Sequence, residues 1–273
     1  MKKNLTVEDL KRIQLSLLRE LDRYCKEHDL RYYLTYGTLI GAMRHKGYIP
    51  WDDDIDVIMP REDYDILLSG FNQNNRDPQV ALMAHSLDKR YYLPLAKLVD
   101  IRTVLKENVD TDFEIGVYID IFPLENLADD LDAARARMKK GFRFNQEWML
   151  KTIKWSKKRP LAKNLALAAG KTALVGRSVS AILEDLESFC CETKAKAFTE
   201  YVGVMSGISK GDDSRIFKKE WFQESMPVEF EGEIYPAPIG ADAFLRRIYG
   251  DYMQLPPENQ RVSHHVFEAW IKE

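Results

Sequence analysis

The pattern of apolar and polar positions divides the chain into three stretches. Near the N-terminus Leu10, Ile13, Leu17, Leu18, Leu21 and Tyr24 recur at helical spacing. Thr6-Val7-Glu8-Asp9 has the form of a capping box with Asp in the Glu position, so the spacing predicts a helix that ends near Asp29. Residues 31–36 are rich in aromatics and predict a strand. Gly37-Thr38 follows directly, and residues 39–44 can form a short helix. Asp54-Ile55-Asp56-Val57-Ile58-Met59 alternates with the period of a half-buried strand, which points Asp54 and Asp56 to one face. Pro60 is expected to stop the pairing, with a helix over 61–71. Residues 80–85 and 95–100 read as strands, and 102–106 as a strand folding back through a hairpin at 99–102. Gly116 to Pro123 alternates again, with Asp120 the lone acid among apolar neighbours.

From about 129 to 199 the pattern turns helical, including 161–175 and 180–199. The last stretch is mixed. Tyr235-Pro236-Ala237-Pro238 is extended, and 241–249 is helical with Gly250 as its C-terminal cap.

Composition narrows the class. The chain has 273 residues, 45% hydrophobic, enough for one large core or two small ones. A net charge of -3 gives no global reason to expect nucleic-acid binding. Cys25, Cys190 and Cys191 are odd in number, two of them adjacent, with neither a disulfide framework nor zinc spacing. A reducing cytosol fits that usage. Met1-Lys2-Lys3-Asn4 leads into an amphipathic helix and not an apolar signal core. No stretch approaches the roughly 18 uninterrupted apolar residues of a membrane span.

The chemistry concentrates between Tyr36 and Pro60. Asp52, Asp53, Asp54 and Asp56 place four like charges within five residues, which repel unless water or a cation compensates. Charge runs are commonly solvated turns, but this one leads into an apolar strand. A calcium loop starting at Asp52 would need Gly at its sixth position and Glu at its twelfth, where Val57 and Asp63 stand. A strand-borne clamp for a hard divalent cation survives, Mg²⁺ with Mn²⁺ as the alternative. Asp120 reads either as a further ligand or as a strand-end carboxylate satisfied by backbone. The Gly37-Thr38 turn exposes backbone N–H groups suited to an anion. Lys151 through Pro160 is a basic patch with a Trp, and 161–175 is small and apolar apart from Lys163 and Lys171. Such segments either pack as helices or dock on anionic membranes. His264-His265, close to Arg261, favour a phosphate or substrate contact.

At Gly37-Thr38, Pro50-Trp51-Asp52-Asp53-Asp54-Ile55-Asp56, Lys97 to Thr103 and Ile119-Asp120-Ile121-Phe122-Pro123, the sequence resembles the LicD family. The likeness returns at Tyr249-Gly250-Asp251-Tyr252-Met253 with Pro256-Pro257, Arg261 and His264-His265. The resemblance implies an α+β, nucleotidyltransferase-like mixed sheet flanked by helices, with a helical insertion. A catalytic core over 1–126, a helical region over 127–200 and a C-terminal segment over 201–273 that completes the site would follow. It also implies transfer of a phospho-alcohol, typically phosphocholine from CDP-choline or another CDP-alcohol, to a hydroxyl of a surface glycan, with CMP leaving. The glycan would be a teichoic acid, lipopolysaccharide or capsule, in some cases lipid-linked. Carried over by position, Asp54 and Asp56 become paired metal ligands and Asp120 the third carboxylate. Arg44, Lys97 and Arg261 would neutralise phosphate oxygens, and His45, His264 or His265 could serve as base. Thr38 stands where that fold usually has Gly or Ser. A choline headgroup needs an aromatic face, for which Trp51, Tyr48, Tyr118, Tyr249 and Tyr252 are candidates. The chain would act in the cytoplasm, with the 151–163 patch able to touch the inner face of the membrane. Two enzymatic alternatives remain, a metal-dependent glycosyltransferase and an NTP-dependent nucleotidyltransferase. A third is a non-catalytic nucleotide-binding protein of the same fold.

Overall fold

A computed structural model describes residues 3–106, 112–156, 159–193, 197–208, 210–261 and 268–272. In chain order the strands are β1 (Lys3–Asn4), β2 (Tyr33–Leu34), β3 (Asp56–Pro60), β4 (Val80–Met83), β5 (Ala96–Lys106), β6 (Ile115–Ala128), β7 (Tyr201–Gly203), β8 (Ile216–Lys218), β9 (Ser225–Phe230), β10 (Glu233–Pro238) and β11 (Glu268–Ile271). The helices are α1 (Val7–Glu27), α2 (Tyr36–His45), α3 (Arg61–Asn74), α4 (Leu131–Thr152), α5 (Leu161–Ala173), α6 (Val179–Cys191) and α7 (Ala241–Tyr249).

β6 is the axis of a mixed sheet in the order β1-β11-β5-β6-β3-β2, with β4 added to β5 and β7-β8 added to the far end of β6. It runs parallel to β3 and antiparallel to β5. The expected α+β architecture is therefore present. Along β6 the buried Val117, Ile119 and Ile121 line one face and alternate with the part-buried Tyr118, Asp120 and Phe122 on the other.

α1 forms as the sequence predicts. Thr6 Oγ1 accepts from the Asp9 N–H at 3.1 Å while Asp9 Oδ2 accepts from the Thr6 N–H at 3.2 Å. Leu10, Leu17, Leu18, Leu21 and Tyr24 turn inward from its one apolar face. Each such buried side chain contributes roughly 1.5–3 kcal/mol of transfer free energy. Gln14 is the polar exception on that face, and its Nε2 donates to the Asp53 carbonyl at 2.9 Å.

Four expectations are corrected. The chain does not reverse at 99–102: β5 runs on from Ala96 to Lys106, with a register shift between Asp100 and Leu105. There the Asp100 carboxylate accepts from the Arg102 N–H and the Asp100 carbonyl from Thr103 Oγ1, so the local bonds make a bulge and β11 pairs beyond it. β2 is only two residues long, because Thr35 already serves as the N-cap of α2 and Tyr36 enters the helix at φ +46°. Pro60 does not interrupt pairing. It stays in register with Leu124 in the parallel ladder and then precedes the first turn of α3, where its missing N–H costs nothing. α6 stops at Cys191 and not near 199, since Thr193 Oγ1 turns to donate to the Asn126 carbonyl on β6.

The β9–β10 hairpin turns through Glu231 and Gly232, both at positive φ, as a two-residue mirror-image turn requires. Its tip grips the loop before the acidic run. The Glu231 N–H donates to the Lys46 carbonyl at 2.9 Å, and Glu231 Oε1 accepts from the Tyr48 N–H at 3.0 Å.

Candidate active site

Register builds the centre of the site. Asp56 on β3 stands directly opposite Asp120 on β6, and Asp120 stands opposite Lys97 on β5. Residues paired across neighbouring strands share a face, so the three side chains form one row on one side of the sheet. Lys97 Nζ lies 2.6 Å from Asp120 Oδ1 and 3.1 Å from the centroid of the Tyr118 ring. The lysine expected to meet phosphate is thus tied to the row's middle carboxylate.

Asp54 lies one turn of chain earlier. β3 begins at Asp56, so Asp54 belongs to the loop before the strand, although the Ile55 carbonyl already accepts from the Asp120 N–H at 2.9 Å. One carboxylate oxygen from each of Asp52, Asp53 and Asp54 falls within 4.8 Å of the others. The loop is pinned from below by Gln14, whose Oε1 accepts from the Tyr48 hydroxyl at 3.1 Å while its amide holds Asp53. Asp56 keeps some accessible surface, but its carboxyl is enclosed by protein. Burial first, then Asp54, Asp120 and Asp52, push its pKa well above the usual carboxylate range, against the opposite pull of Lys97. Such a carboxyl is short of positive charge.

The start of α2 supplies the floor. A Cβ at Gly37 would stand 2.5 Å from Asp52 Oδ2, so any larger residue there would displace that carboxylate. The place reserved by sequence for a phosphate therefore has the Asp52 carboxylate against it. Thr38 is buried, and its Oγ1 accepts from the Asp56 N–H at 2.8 Å. Its visible work is to fix the backbone at the start of β3.

A basic and aromatic wall comes from the end of α2 and the C-terminal segment. Arg44 Nε donates to His45 Nε2 at 2.9 Å and Arg44 Nη1 to the Tyr252 carbonyl at 2.5 Å. Burial and then the neighbouring Arg261 hold the Arg44 pKa below its usual value. Burial and then Arg44 likewise lower His45. The Arg261 guanidinium lies 5.7 Å from the Trp51 ring centroid, and the His45 and Trp51 rings meet edge-on at 6.5 Å. Two guanidinium groups and a neutral imidazole so close form an anion-seeking wall.

Residues 29–159 match the LicD/FKTN/FKRP nucleotidyltransferase domain. Over that stretch, just under half of its length, the chain is similar to the LicD family. It is 29% identical over 269 residues to the lipopolysaccharide cholinephosphotransferase LicD of Haemophilus influenzae, an alignment covering 98% of this chain and 99% of that protein. Mannosyltransferase regulators 4 and 14 of Saccharomyces cerevisiae are 30% and 32% identical over 113 and 130 residues, 39% and 46% of this chain but 9% and 13% of theirs. The LicD domain holds the whole acid row, the start of α2 and Trp51, while Tyr249 and Arg261 lie beyond it.

Arg215 is a residue that the sequence reading missed. It ends the single turn Asp213–Arg215, its guanidinium is 5.2 Å from the Tyr36 ring centroid, and its buried Nε has no hydrogen-bond partner among the described residues. Tyr36 feels Arg215 and Asp56 together: burial raises its pKa to about 12, which Arg215 opposes and Asp56 reinforces. Tyr249 joins them. Nearly half of it is exposed, at 47%, yet its phenol is raised by burial, then by Tyr36 and Asp56.

Of the aromatic candidates, Tyr48 and Tyr252 are core residues, the latter bonded to Asp242 at 3.0 Å, and Tyr118 already faces Lys97. Trp51 and Tyr249 keep open surface. His264 and His265 lie outside the described residues. A cleft of about 700 Å³ between the end of α1 and the β9–β10 hairpin is lined by none of the row's residues, so the site is assigned by its chemistry and not by volume. No described helix is long and apolar enough to cross a membrane.

Proposed function

We propose that this chain transfers a phospho-alcohol, phosphocholine from CDP-choline first among the options, to a hydroxyl of a cell-surface glycan and releases CMP. The observation that carries the reading is the Asp56–Asp120–Lys97 row, whose Asp56 carboxyl is pushed up by burial and by three neighbouring aspartates. The full-length similarity to a lipopolysaccharide cholinephosphotransferase supports the same choice of donor and acceptor. Teichoic acid and capsule remain acceptors of the same chemistry.

The acid cluster fits a hard divalent cation in kind: its donors are all carboxylate oxygens, those of Asp52, Asp53 and Asp54 lie within 4.8 Å of one another, and the enclosed Asp56 carboxyl feels Asp54, Asp120 and Asp52. Asp54, Asp56 and Asp120 would hold Mg²⁺ or Mn²⁺, with Asp52 close by. The ion would supply charge neutralisation for the donor diphosphate. The chain's own groups do the rest. Arg44, Arg261 and Arg215 bind and orient the phosphate oxygens. Trp51 and Tyr249 offer aromatic faces to a quaternary ammonium. The acceptor oxygen forms its bond to the alcohol-bearing phosphorus as the bond from that phosphorus to the cytidylate oxygen breaks. The hydroxyl proton passes to a carboxylate, a role for Asp120, paired with Lys97 at 2.6 Å, as the alternative to holding the ion.

The test is a panel of CDP-choline, CDP-ethanolamine, CDP-ribitol, CDP-glycerol, UDP-sugars and ATP, each with and without Mg²⁺, read by thermal shift and CMP release. A bound donor at about 100 times its dissociation constant adds roughly 2.7 kcal/mol. One CDP-alcohol should stabilise the protein and yield CMP only with Mg²⁺. A shift with UDP-sugars alone would make the chain a glycosyltransferase, and one with ATP alone a nucleotidyltransferase.

A further inference from the structure

α5 is a helix turned inside out. Its one fully buried residue is polar: Asn164, whose Nδ2 donates to the Ser156 carbonyl at 2.8 Å and whose Oδ1 accepts from Arg159 Nη1 at 3.1 Å. Its apolar residues face out. Leu161 is 64% exposed and Leu165 56%, flanked by Trp155 at 59% and Val175 at 76%. Alanines at 162, 166, 168 and 169 fill the same open surface. The helix rests on α4 through Gly170, where a Cβ would meet Leu150 Cδ2 at 2.8 Å, so the contact is close but narrow. Water would favour the reverse arrangement, and a contiguous apolar face of this kind marks an interaction surface.

Charge identifies the partner. Between Trp148 and Leu183 the sequence has eight lysines and arginines and no acidic residue. Within that span Lys154 and Lys163 flank the apolar side chains, Lys163 on the exposed side of α5. A protein partner or a second copy of this chain would have to present matching acids to the face. A bilayer with anionic headgroups supplies negative charge and an apolar interior together. We propose that α5, with Trp155 before it and Val175 after it, docks the protein on an anionic lipid surface. Most of this surface lies beyond residue 159, where the match to the LicD domain ends, so it is separate from the acid row.

The test is co-sedimentation of the full chain with phosphatidylcholine vesicles, with and without phosphatidylglycerol, alongside Trp155 emission compared with a Trp155→Phe control. The chain should bind the anionic vesicles only, with a blue shift from Trp155 and weakening at high salt. Lys154→Ala with Lys163→Ala should lower partitioning roughly 25-fold, about fivefold per charge. Leu161→Asp with Leu165→Asp should abolish it, and Leu161→Ala with Leu165→Ala, safe for the fold, should lower it at least about tenfold. Equal binding to neutral and anionic vesicles, or unchanged binding by the leucine variants, would overturn the proposal. So would a vesicle-independent dimer that the same leucine changes dissolve. CMP release in solution should be unaffected by these variants, which separates this surface from the catalytic reading.

Discussion

Replacing Asp56 by Asn should make the metal-free protein more stable while removing its activity. Side chains paired across neighbouring strands sit about 5 Å apart, where two like charges repel by roughly 3 kcal/mol at an effective dielectric of about 20. Asp56 faces Asp120 at that separation, with Asp54 and Asp52 adding repulsion. The Lys97 ammonium, 2.6 Å from Asp120, cancels most of the Asp120 share, and solvent screens the part-exposed Asp52 and Asp54. A net relief of about 1–3 kcal/mol remains, or roughly 2–8 °C in melting temperature for a chain of this size. Asn keeps the shape and the backbone bond to Thr38. Saturating Mg²⁺, at about 100 times its dissociation constant, should raise the wild type by roughly 2.7 kcal/mol and leave Asp56→Asn nearly unmoved.

The pH dependence follows from the same raised pKa. A carboxyl that protonates more easily in the folded state stabilises the fold at low pH, and that contribution is lost as pH rises through the folded value. Metal-free wild type should therefore gain on Asp56→Asn as pH falls, and Mg²⁺ should stabilise the wild type more at high pH than at low. Differential scanning calorimetry over a pH series with and without Mg²⁺ reads both. A lower melting temperature for metal-free Asp56→Asn, or equal Mg²⁺ shifts in the two proteins, would refute the idea that uncompensated charge on this row is what calls for a cation.

Other perturbations separate the parts of the molecule. Arg61 is buried with a bidentate partner in Glu125, itself fully buried, so Glu125→Ala should cost about 3 kcal/mol in urea unfolding, the lower end for breaking a buried pair because Glu187 and Asp65 still reach the guanidinium. Gly37→Ala should push the Asp52 carboxylate aside and weaken Mg²⁺ binding by roughly tenfold in calorimetric titration, with little change in metal-free stability. His45 should titrate below its usual value of about 6.5 in NMR, and Arg44→Gln should move it upward; its stabilising contribution is full above that value and fades as pH falls below it. Arg215→Gln should raise KM for the donor roughly tenfold with the fold intact, if the guanidinium beside Tyr36 meets a donor phosphate as proposed.

What was legible in the sequence is what local chemistry decides. The capping box of α1, the span of α7 and its Gly250 cap at φ +71° follow from neighbouring residues alone. The false hairpin at 99–102 arose from the same source, because a bulge and a turn share the Asp and Thr side chains that satisfy backbone nearby. The placement of Asp120 beside Asp56 is a matter of register between strands some sixty residues apart, which no local pattern encodes; the lone acid among apolar neighbours offered it as one of two readings, and the family likeness favoured it. Arg215 sits on a three-residue turn in a stretch without periodicity, and reaches the site only because α7 packs against that turn. Asp52 and Asp53 were visible as charge, but their convergence with Asp54 depends on a loop held by Gln14, forty positions away.

β6 shows why the site can be told from the scaffold by charge balance. Glu125, toward one end of the strand, is buried and met by the Arg61 fork at 2.9 and 3.1 Å, so its charge is satisfied within the protein. Asp120, five residues earlier, has a lysine on one side and a carboxylate with a raised pKa on the other. The lysine answers one charge, and Asp52, Asp54 and Asp56 crowd the same space. Burial selects against such crowding unless something outside the chain relieves it. The same strand therefore carries an acid closed into a built-in ion pair and an acid set among other carboxylates, and the cation proposed above would act at the second.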